Sequence, residues 1–371
     1  MYKLNFISTS RADFFIYKKL VQHLAQKKKY QINFTTFDSN EEKNNLHNIA
    51  KLNFCFSNIF THTPILVEKA KKCIHSKIIS TLTNSLNEIN KDDFDLILCL
   101  GDRYEMLTAV YPYIYSNKPI AHFCGGEYTM GSYDQKNRDA LTAISDLHFV
   151  TNDIFLKRIS EIKGKTPYFA YNIGSPSINN LLENAKEYDI TNLEEFKKSK
   201  FKDFILATFH PDIDSEKQIY NQLSIIEEIV CSNSNLNFLF TKSNEDKHGD
   251  SINSKLLELS KKQNCIFINT LGNYYPSALK SSQMVLGNSS SGIVEAELFN
   301  TPVLNIGNRQ KGRPHSLNVH NVDFNIEKIL KKINNILNNQ AIKDKNSLYF
   351  KKNCYQLAES AIVKFLKLNE K

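Results

Sequence analysis

Short apolar runs that alternate with longer amphipathic stretches constrain this chain more than any other feature. Six come first: Lys3–Ser8, Gln31–Phe37, Asp95–Leu100, Pro119–Phe123, Leu147–Thr151 and Ala170–Ile173. Five follow: Phe204–Phe209, Asn237–Thr241, Cys265–Asn269, Met284–Leu286 and Pro302–Ile306. Each is rich in Ile, Val, Leu and Phe, with little period-two alternation. A strand reads this way when both of its faces are buried, as in a parallel sheet covered by helices. The intervening stretches carry helical spacing, clearest in the stripe Ile326, Ile329, Leu330, Ile333, Ile336 and Leu337. Strand and helix alternating throughout predict an α/β, doubly wound architecture.

At 371 residues the chain suits two such domains. The two strand sets meet at Asn172-Ile173-Gly174-Ser175-Pro176, where Gly and Pro punctuate. This places one Rossmann-like domain at 1–175 and a second at 176–345. Segment 346–371 is expected to be a helix that packs back across the boundary. The charged stretch Lys186–Lys202 reads as surface helix or loop.

Several classes are excluded early. Hydrophobic residues make up 41% and charged ones 23%, close to a globular average, so disorder and coiled coil are out. No run approaches ~18 apolar residues, so no membrane span is expected. The apolar start Met1–Ser8 is too short for a signal peptide, and a cytoplasmic location is expected. Cys55, Cys73, Cys99, Cys124, Cys231, Cys265 and Cys354 include no C-x-x-C pair, which favours reduced thiols over disulfides or zinc. The net charge of +8 comes mainly from lysines spread over the chain. A nucleic-acid binder concentrates such charge on one element; here it reads as solvated surface that draws an anionic small molecule.

In open α/β sheets ligands bind beyond the carboxyl ends of the strands. There the chain places Ser8-Thr9-Ser10-Arg11-Ala12-Asp13, then Gly101-Asp102-Arg103, then Cys124-Gly125-Gly126-Glu127 followed by Asp134 and Arg138. In the second half come His210-Pro211-Asp212, Ser243-Asn244-Glu245-Asp246, Gly287-Asn288-Ser289-Ser290-Ser291-Gly292 and Gly307-Asn308-Arg309-Gln310. The Ser-rich turn leads into a helical run, Ile293–Phe299. Small residues there let backbone N–H groups approach a phosphate, although an ordinary N-cap reads the same way. Glu295 is expected in the first turn of that helix, facing the dipole or a ribose diol. Asp134 and Arg138 are four apart, so on a helix they can pair. Asp102 follows a buried-type strand and reads as functional. His210 reads as a general acid or phosphate ligand, and His122 and His148 as core groups. Asp212, Asp214, Glu245 and Asp246 read as solvated loop charges. No Walker loop and no G-x-G-x-x-G occurs, which argues against P-loop and dinucleotide enzymes.

Taken together, Gly101-Asp102-Arg103-Tyr104-Glu105, Gly125-Gly126-Glu127, Asp134 with Arg138, Phe209-His210-Pro211, Asn288–Gly292 and Asn305–Arg313 resemble the hydrolysing UDP-N-acetylglucosamine 2-epimerases. The likeness runs from Ser8 to about Arg313, in order and with similar spacing. It implies two Rossmann-like domains of the GT-B type, a nucleotide-sugar in a cleft between them, a homodimer or homotetramer, and neither redox cofactor nor required metal. It implies conversion of UDP-N-acetylglucosamine to N-acetylmannosamine and UDP, for sialic acid biosynthesis. UDP leaves C1 as a base removes the C2 proton. Water then adds to the 2-acetamidoglucal, with C2 protonated from the opposite face.

Carried over by position, Asp102, Asp134 and Arg138 line the sugar and His210 lies near diphosphate and sugar. Ser289, Ser290 and Glu295 hold diphosphate and ribose, while Arg11, Arg103, Asn244 and Arg309 contact the nucleotide. Two positions depart from the pattern. Cys124 stands where many relatives carry a catalytic Glu, and Asp139 where they often carry His. A thiol, mostly protonated at neutral pH, cannot replace a carboxylate. Glu127 is the nearest substitute. Both departures lie beside the sugar, so a UDP- or GDP-linked diacetamido sugar of the legionaminic acid route is the alternative substrate. A non-hydrolysing epimerase and a GT-B glycosyltransferase are the competing activities.

Overall fold

The computed structural model describes residues 1–9, 11–36, 58–61, 82–83, 94–129, 134–212, 216–244, 248–339 and 347–369. Its strands are β1 (Tyr2–Ser8), β2 (Tyr30–Thr36), β3 (Asn58–Thr61), β4 (Leu96–Leu100), β5 (Ile120–Phe123), β6 (Leu147–Val150) and β7 (Phe169–Asn172) in one sheet. A second sheet holds β8 (Ile205–Thr208), β9 (Phe238–Thr241), β10 (Cys265–Ile268), β11 (Met284–Gly287), β12 (Val303–Ile306) and β13 (Val319–Val322). Around the first lie helices α1 (Arg11–Ala25), α2 (Tyr104–Val110), α3 (Gln135–Ile144) and α4 (Asp153–Lys163). Next come α5 (Pro176–Glu187), α6 (Glu194–Ser199), α7 (Glu216–Ser232), α8 (Gly249–Leu259), α9 (Tyr275–Ser281), α10 (Ser290–Val294), α11 (Ile326–Asn338) and α12 (Cys354–Asn369). Among the described residues no helix is long and apolar enough to cross a membrane.

The chain forms two compact units. The first comprises Met1–Glu127, Tyr133–Ser177 and Lys351–Lys371; the second, Tyr128–Ser132 and Ile178–Phe350. The first sheet is parallel in the order β3-β2-β1-β4-β5-β6-β7, the second in the order β10-β9-β8-β11-β12-β13. Both are doubly wound, as the alternation of apolar runs predicts. The reason is visible in β4, where Leu96, Ile97, Leu98, Cys99 and Leu100 are all buried, so both faces of the strand are covered. β8 and β11 play the same part in the second unit.

Two strands were absent from the sequence reading, β3 and β13, and both lie at sheet edges. β13 reads Val-His-Asn-Val, with its His partly covered and its Asn exposed. An edge strand exposes one flank to water and does not need the apolar run that marks a central one.

The predicted C-terminal helix is shorter than 346–371, running from Cys354 to Asn369 in the first unit. Its Ile362, Phe365 and Leu366 are buried in that unit's core, each contributing ~1.5–3 kcal/mol relative to exposure. Glu359 of the same helix takes His23 Nε2 at 2.8 Å and Lys29 Nζ at 2.7 Å, which ties α12 to α1 and the turn after it. The five cysteines among the described residues are free thiols.

Candidate active site

In each sheet the strand order reverses at one place. The reversal falls between β1 and β4 in the first unit and between β8 and β11 in the second. Loops leaving strands at such a switch point diverge and leave a crevice for a ligand. Asp102 leaves β4, and His210 and the Ser-rich turn leave β8 and β11, so the polar residues chosen from sequence stand at both switch points.

In the first unit Arg138, on α3, is 5% exposed and forms an ion pair with Asp102. Its Nη1 lies 3.9 Å from Glu127 Oε2, and Thr151 Oγ1 donates to Glu127 Oε1 at 2.7 Å. One buried guanidinium is thus flanked by two carboxylates. Burial works against its charge, but Asp102 and then Glu127 outweigh that and raise the Arg138 pKa. The expected Asp134–Arg138 side-chain pair does not form. Asp134 is the N-cap of α3 and its carboxylate accepts from Asn137 Nδ2 at 3.3 Å, while Arg138 turns towards Asp102. Arg103 forks onto Glu105, with Nε–Oε2 at 3.2 Å and Nη2–Oε1 at 2.9 Å. Arg11 opens α1, and its side chain lies outside the described residues.

The turn Cys124–Glu127 carries the second carboxylate. Cys124 (φ 61) and Gly126 (φ 70) are both left-handed. A Cβ on Gly126 would meet the Phe155 carbonyl at 2.8 Å, so only glycine lets the turn lie against α4. Sequence reading correctly placed His122 in the core but missed its role. Its Nε2 donates to the Gly101 carbonyl at 2.8 Å, fixing the turn just before Asp102. Burial lowers its pKa to about 4, so it is a neutral donor. A histidine inside an otherwise apolar strand was the available signal. Thr151 and Arg158 were missed as well, since nothing in their local sequence marks them.

The second unit's site is built mainly from neutral groups, with Arg309 beside them. Asn288, fully buried, accepts from His210 N–H at 2.7 Å and donates Nδ2–H to the His210 carbonyl at 2.9 Å. Its own carbonyl accepts from Arg309 Nη1 at 3.3 Å and Gln310 Nε2 at 3.1 Å. Gly287 (φ 130) precedes it, and a Cβ there would collide with the Thr208 carbonyl of β8, which brings these two strand ends together. His210 Nδ1 accepts the Asn244 backbone N–H at 3.0 Å. The ring proton therefore sits on Nε2. Burial, then the nearby Arg309, lowers the His210 pKa to about 3. His210 thus presents a neutral N–H donor, a group that can bind an anion.

Ser289 caps the short helix α10, its Oγ accepting from Ser291 N–H at 3.4 Å. Among the described residues no group bonds the Ser290 hydroxyl. Glu295 is not in the first turn, as expected, but at the C-cap. The helix ends after five residues and passes into a 3₁₀ turn, Ala296–Phe299. Glu295 lies near Tyr275, whose hydroxyl it helps to hold protonated after burial. Asp212 is not a solvated charge: its Oδ2 accepts the Asn308 N–H at 2.7 Å, and burial lifts its pKa to about 6. Asp214, Glu245 and Asp246 lie outside the described residues. Among the described residues no group of three or more His, Cys, Asp or Glu could hold a metal ion.

Comparison with known proteins decides what this arrangement belongs to. The family model described as UDP-N-acetylglucosamine 2-epimerase matches residues 23–367. The chain belongs to that family. It is a nucleotide-sugar 2-epimerase of two parallel α/β units. It is 32% identical over 267 residues to a Campylobacter jejuni GDP/UDP-N,N'-diacetylbacillosamine 2-epimerase (hydrolyzing), covering 71% of this chain and 69% of that one. To the Escherichia coli polysialic acid biosynthesis protein P7 it is 27% identical over 386 residues, covering 100% of this chain and 96% of the relative. In fold it matches the Neisseria meningitidis UDP-GlcNAc 2-epimerase bound to UDP-GlcNAc, with a TM-score of 0.78, 14% identity, and 98% and 100% of the two chains covered.

Proposed function

We propose that this epimerase is of the hydrolysing type. It expels UDP from a UDP-linked 2-acetamido sugar and releases the free sugar with C2 inverted. The observation that carries this reading is the Asp102–Arg138–Glu127 set, in which two carboxylates flank one buried cation. Inversion through a glycal needs one group to take the C2 proton and another to return a proton from the opposite face. Asp102 and Glu127 supply those two groups on either side of Arg138: one takes the C2 proton as UDP leaves and later gives it up to solvent, and the other accepts a proton from the water that adds at C1 and delivers it to C2. Asp134 stands at the start of the helix that carries Arg138. In the second unit Ser289, Ser290, Arg309 and the Nε2–H of His210 hold the diphosphate, and Glu295 the ribose. Neutral donors and one guanidinium suit an anion whose charge grows as it leaves.

Two sugars compete. UDP-N-acetylglucosamine, giving N-acetylmannosamine for sialic acid synthesis, follows from the motifs. The names of the Campylobacter relative and of a Legionella pneumophila relative, 27% identical over 368 residues, favour N,N'-diacetylbacillosamine linked to UDP or GDP. We give that second reading the greater weight. Incubating the enzyme with each nucleotide-sugar in deuterium oxide, followed by NMR, separates the alternatives. The expected product is a free sugar with inverted C2 bearing deuterium, formed faster from the diacetamido substrate. A product still attached to its nucleotide, or turnover only when an acceptor is added, would overturn the hydrolysing reading.

A further inference from the structure

Glu127 is held at both ends, and the mechanism above uses only one of them. Its carboxylate meets Thr151 and Arg138. Its backbone carbonyl accepts two further donors, Arg158 Nη1 at 3.2 Å and Gln135 Nε2 at 3.1 Å. Arg158 also reaches the Gly126 carbonyl at 3.4 Å. Both donors are gripped by one residue, Asp139. Its Oδ2 accepts from Arg158 Nη2 at 2.8 Å, its Oδ1 lies 2.7 Å from Arg158 Nη1, and the same Oδ1 accepts from Gln135 Nε2 at 2.9 Å.

The helices explain why this network falls where it does. Gln135 and Asp139 are four apart on α3 and so share a face. Arg158 stands on α4 between Phe155 and Ile159, the two residues against which the Gly126 turn is packed. The guanidinium is planar and forked, so it can hold a carboxylate on one edge and a carbonyl beside it. Arg138 and Asp139, adjacent on α3, thus control opposite ends of the same glutamate.

We infer that Asp139, acting through Arg158 and Gln135, is a positioning residue that sets where the Glu127 carboxylate stands beside the sugar. The inference rests on the reading of Glu127 as an acid–base group. Asp139 itself touches no reacting atom. Its loss leaves both donors without their common anchor and lets the Gly125-Gly126 turn shift. A displacement of about 1 Å at a reacting group can cost ~10²-fold in rate, so a looser turn should cost about ten-fold or more.

The test is a cycle of Asp139→Ala, Asp139→Asn and Glu127→Gln in the full chain, reading kcat at saturating nucleotide-sugar, UDP affinity by calorimetry, and thermal unfolding. Asp139→Ala should lower kcat about ten-fold or more with UDP affinity within two-fold of the parent. Asp139→Asn keeps one acceptor oxygen and the side-chain shape, so it should recover part of that loss; it also serves if the alanine variant does not fold. In the Glu127→Gln background the Asp139 substitutions should change kcat less than two-fold, because the group they position is already gone. An undiminished effect of Asp139→Asn in that background would overturn positioning through Glu127. Unchanged kcat in both Asp139 variants would also overturn it, while leaving Glu127's role to stand on its own substitution. If Glu127→Gln itself has no effect, the reading of Glu127 fails and takes this inference with it.

Discussion

Beside the switch point of the first unit lie two ion-paired sets, Asp102–Arg138–Glu127 and Asp139–Arg158, joined through the Glu127 backbone carbonyl. At the switch point of the second stand Asn288, Ser289, Ser290, Asn244 and a neutral His210, with Arg309 the cation among them. The topology is the same and the chemistry is opposite. Charged pairs in low dielectric are expensive to bury and are kept where a proton must move. Neutral donors aligned by backbone cost less and suffice to hold an anion. Under the proposed function, this contrast supports bond-making in the first unit and binding in the second.

Removing one carboxylate from the charged side should therefore have the largest effect. Asp102→Asn is expected to lower kcat by at least ~10²-fold while UDP affinity, measured by calorimetry, stays within a few-fold. Glu127 remains beside Arg138, so the buried cation keeps a counter-charge and the unit should fold. A variant with a near-parental rate, or one that loses UDP binding, would break the assignment.

Next in size is the loss of one neutral donor. Ser290→Ala removes a hydroxyl that no described group engages. A contact to a charged phosphate is worth about 1.5–3 kcal/mol, so UDP should bind roughly 10- to 150-fold more weakly, with kcat at saturation much less affected. If affinity is unchanged, the Ser-rich turn is a helix cap and the binding role of the second unit moves elsewhere.

How far this contrast could be read from sequence depends on distance along the chain. The central strands were legible because burial on both faces demands continuous apolar runs, as at Leu96–Leu100. β3 and β13 were not, because an edge strand tolerates residues such as His320 and Asn321. The positions of the candidate site residues were legible where they follow a strand directly, as Asp102 and His210 do. Partner choice was not: spacing put Asp134 with Arg138, whereas the fold brings Asp102 to Arg138 from 36 residues away. Arg158 clamps the Glu127 backbone from 31 residues away, and no local pattern records that. Glu295 was misplaced by a smaller effect, the early end of α10 at a glycine and β-branched residues.

Acid should separate the two units more gently. Burial lowers His122 to about 4 and His148 to about 2 in the first unit. Below the unfolded value of ~6.5 the unfolded histidines take up protons that the folded ones refuse, so their contribution is complete above that pH and is lost on acidification. Each costs ~1.4 kcal/mol per pH unit within its window. In the second unit His210, at about 3, behaves likewise, but Asp212 is raised to about 6 and takes up its proton before the unfolded chain does. Between pH 6 and ~3.8 that gain offsets the histidine's loss. Asp146 in the first unit, raised by burial, and His320 in the second, lowered by burial, narrow the contrast. Urea titrations read by pulsed hydrogen exchange at pH 7 and pH 5 should show β4–β6 losing protection at lower urea in acid, with β8–β12 moving less. Equal shifts in both units would remove electrostatics from the comparison.

The smallest effect is expected at Cys124, which stands beside the charged groups. It begins the left-handed turn that ends in Glu127, donates its backbone N–H to the Phe149 carbonyl at 2.9 Å and packs against the first unit's core. Those contacts belong to the backbone and to side-chain volume. Cys124→Ser keeps the backbone bond and nearly the same volume, so kcat and UDP affinity should both stay within about two-fold. Cys124→Glu tests the same point from the other side. A third carboxylate beside Arg138 would compete with Glu127 for it, and the rate should fall even though the added group is a better base than a thiol. If Cys124→Ser is as damaging as Asp102→Asn, the thiol takes part in the reaction, and the first unit's chemistry is not carried by its carboxylates alone.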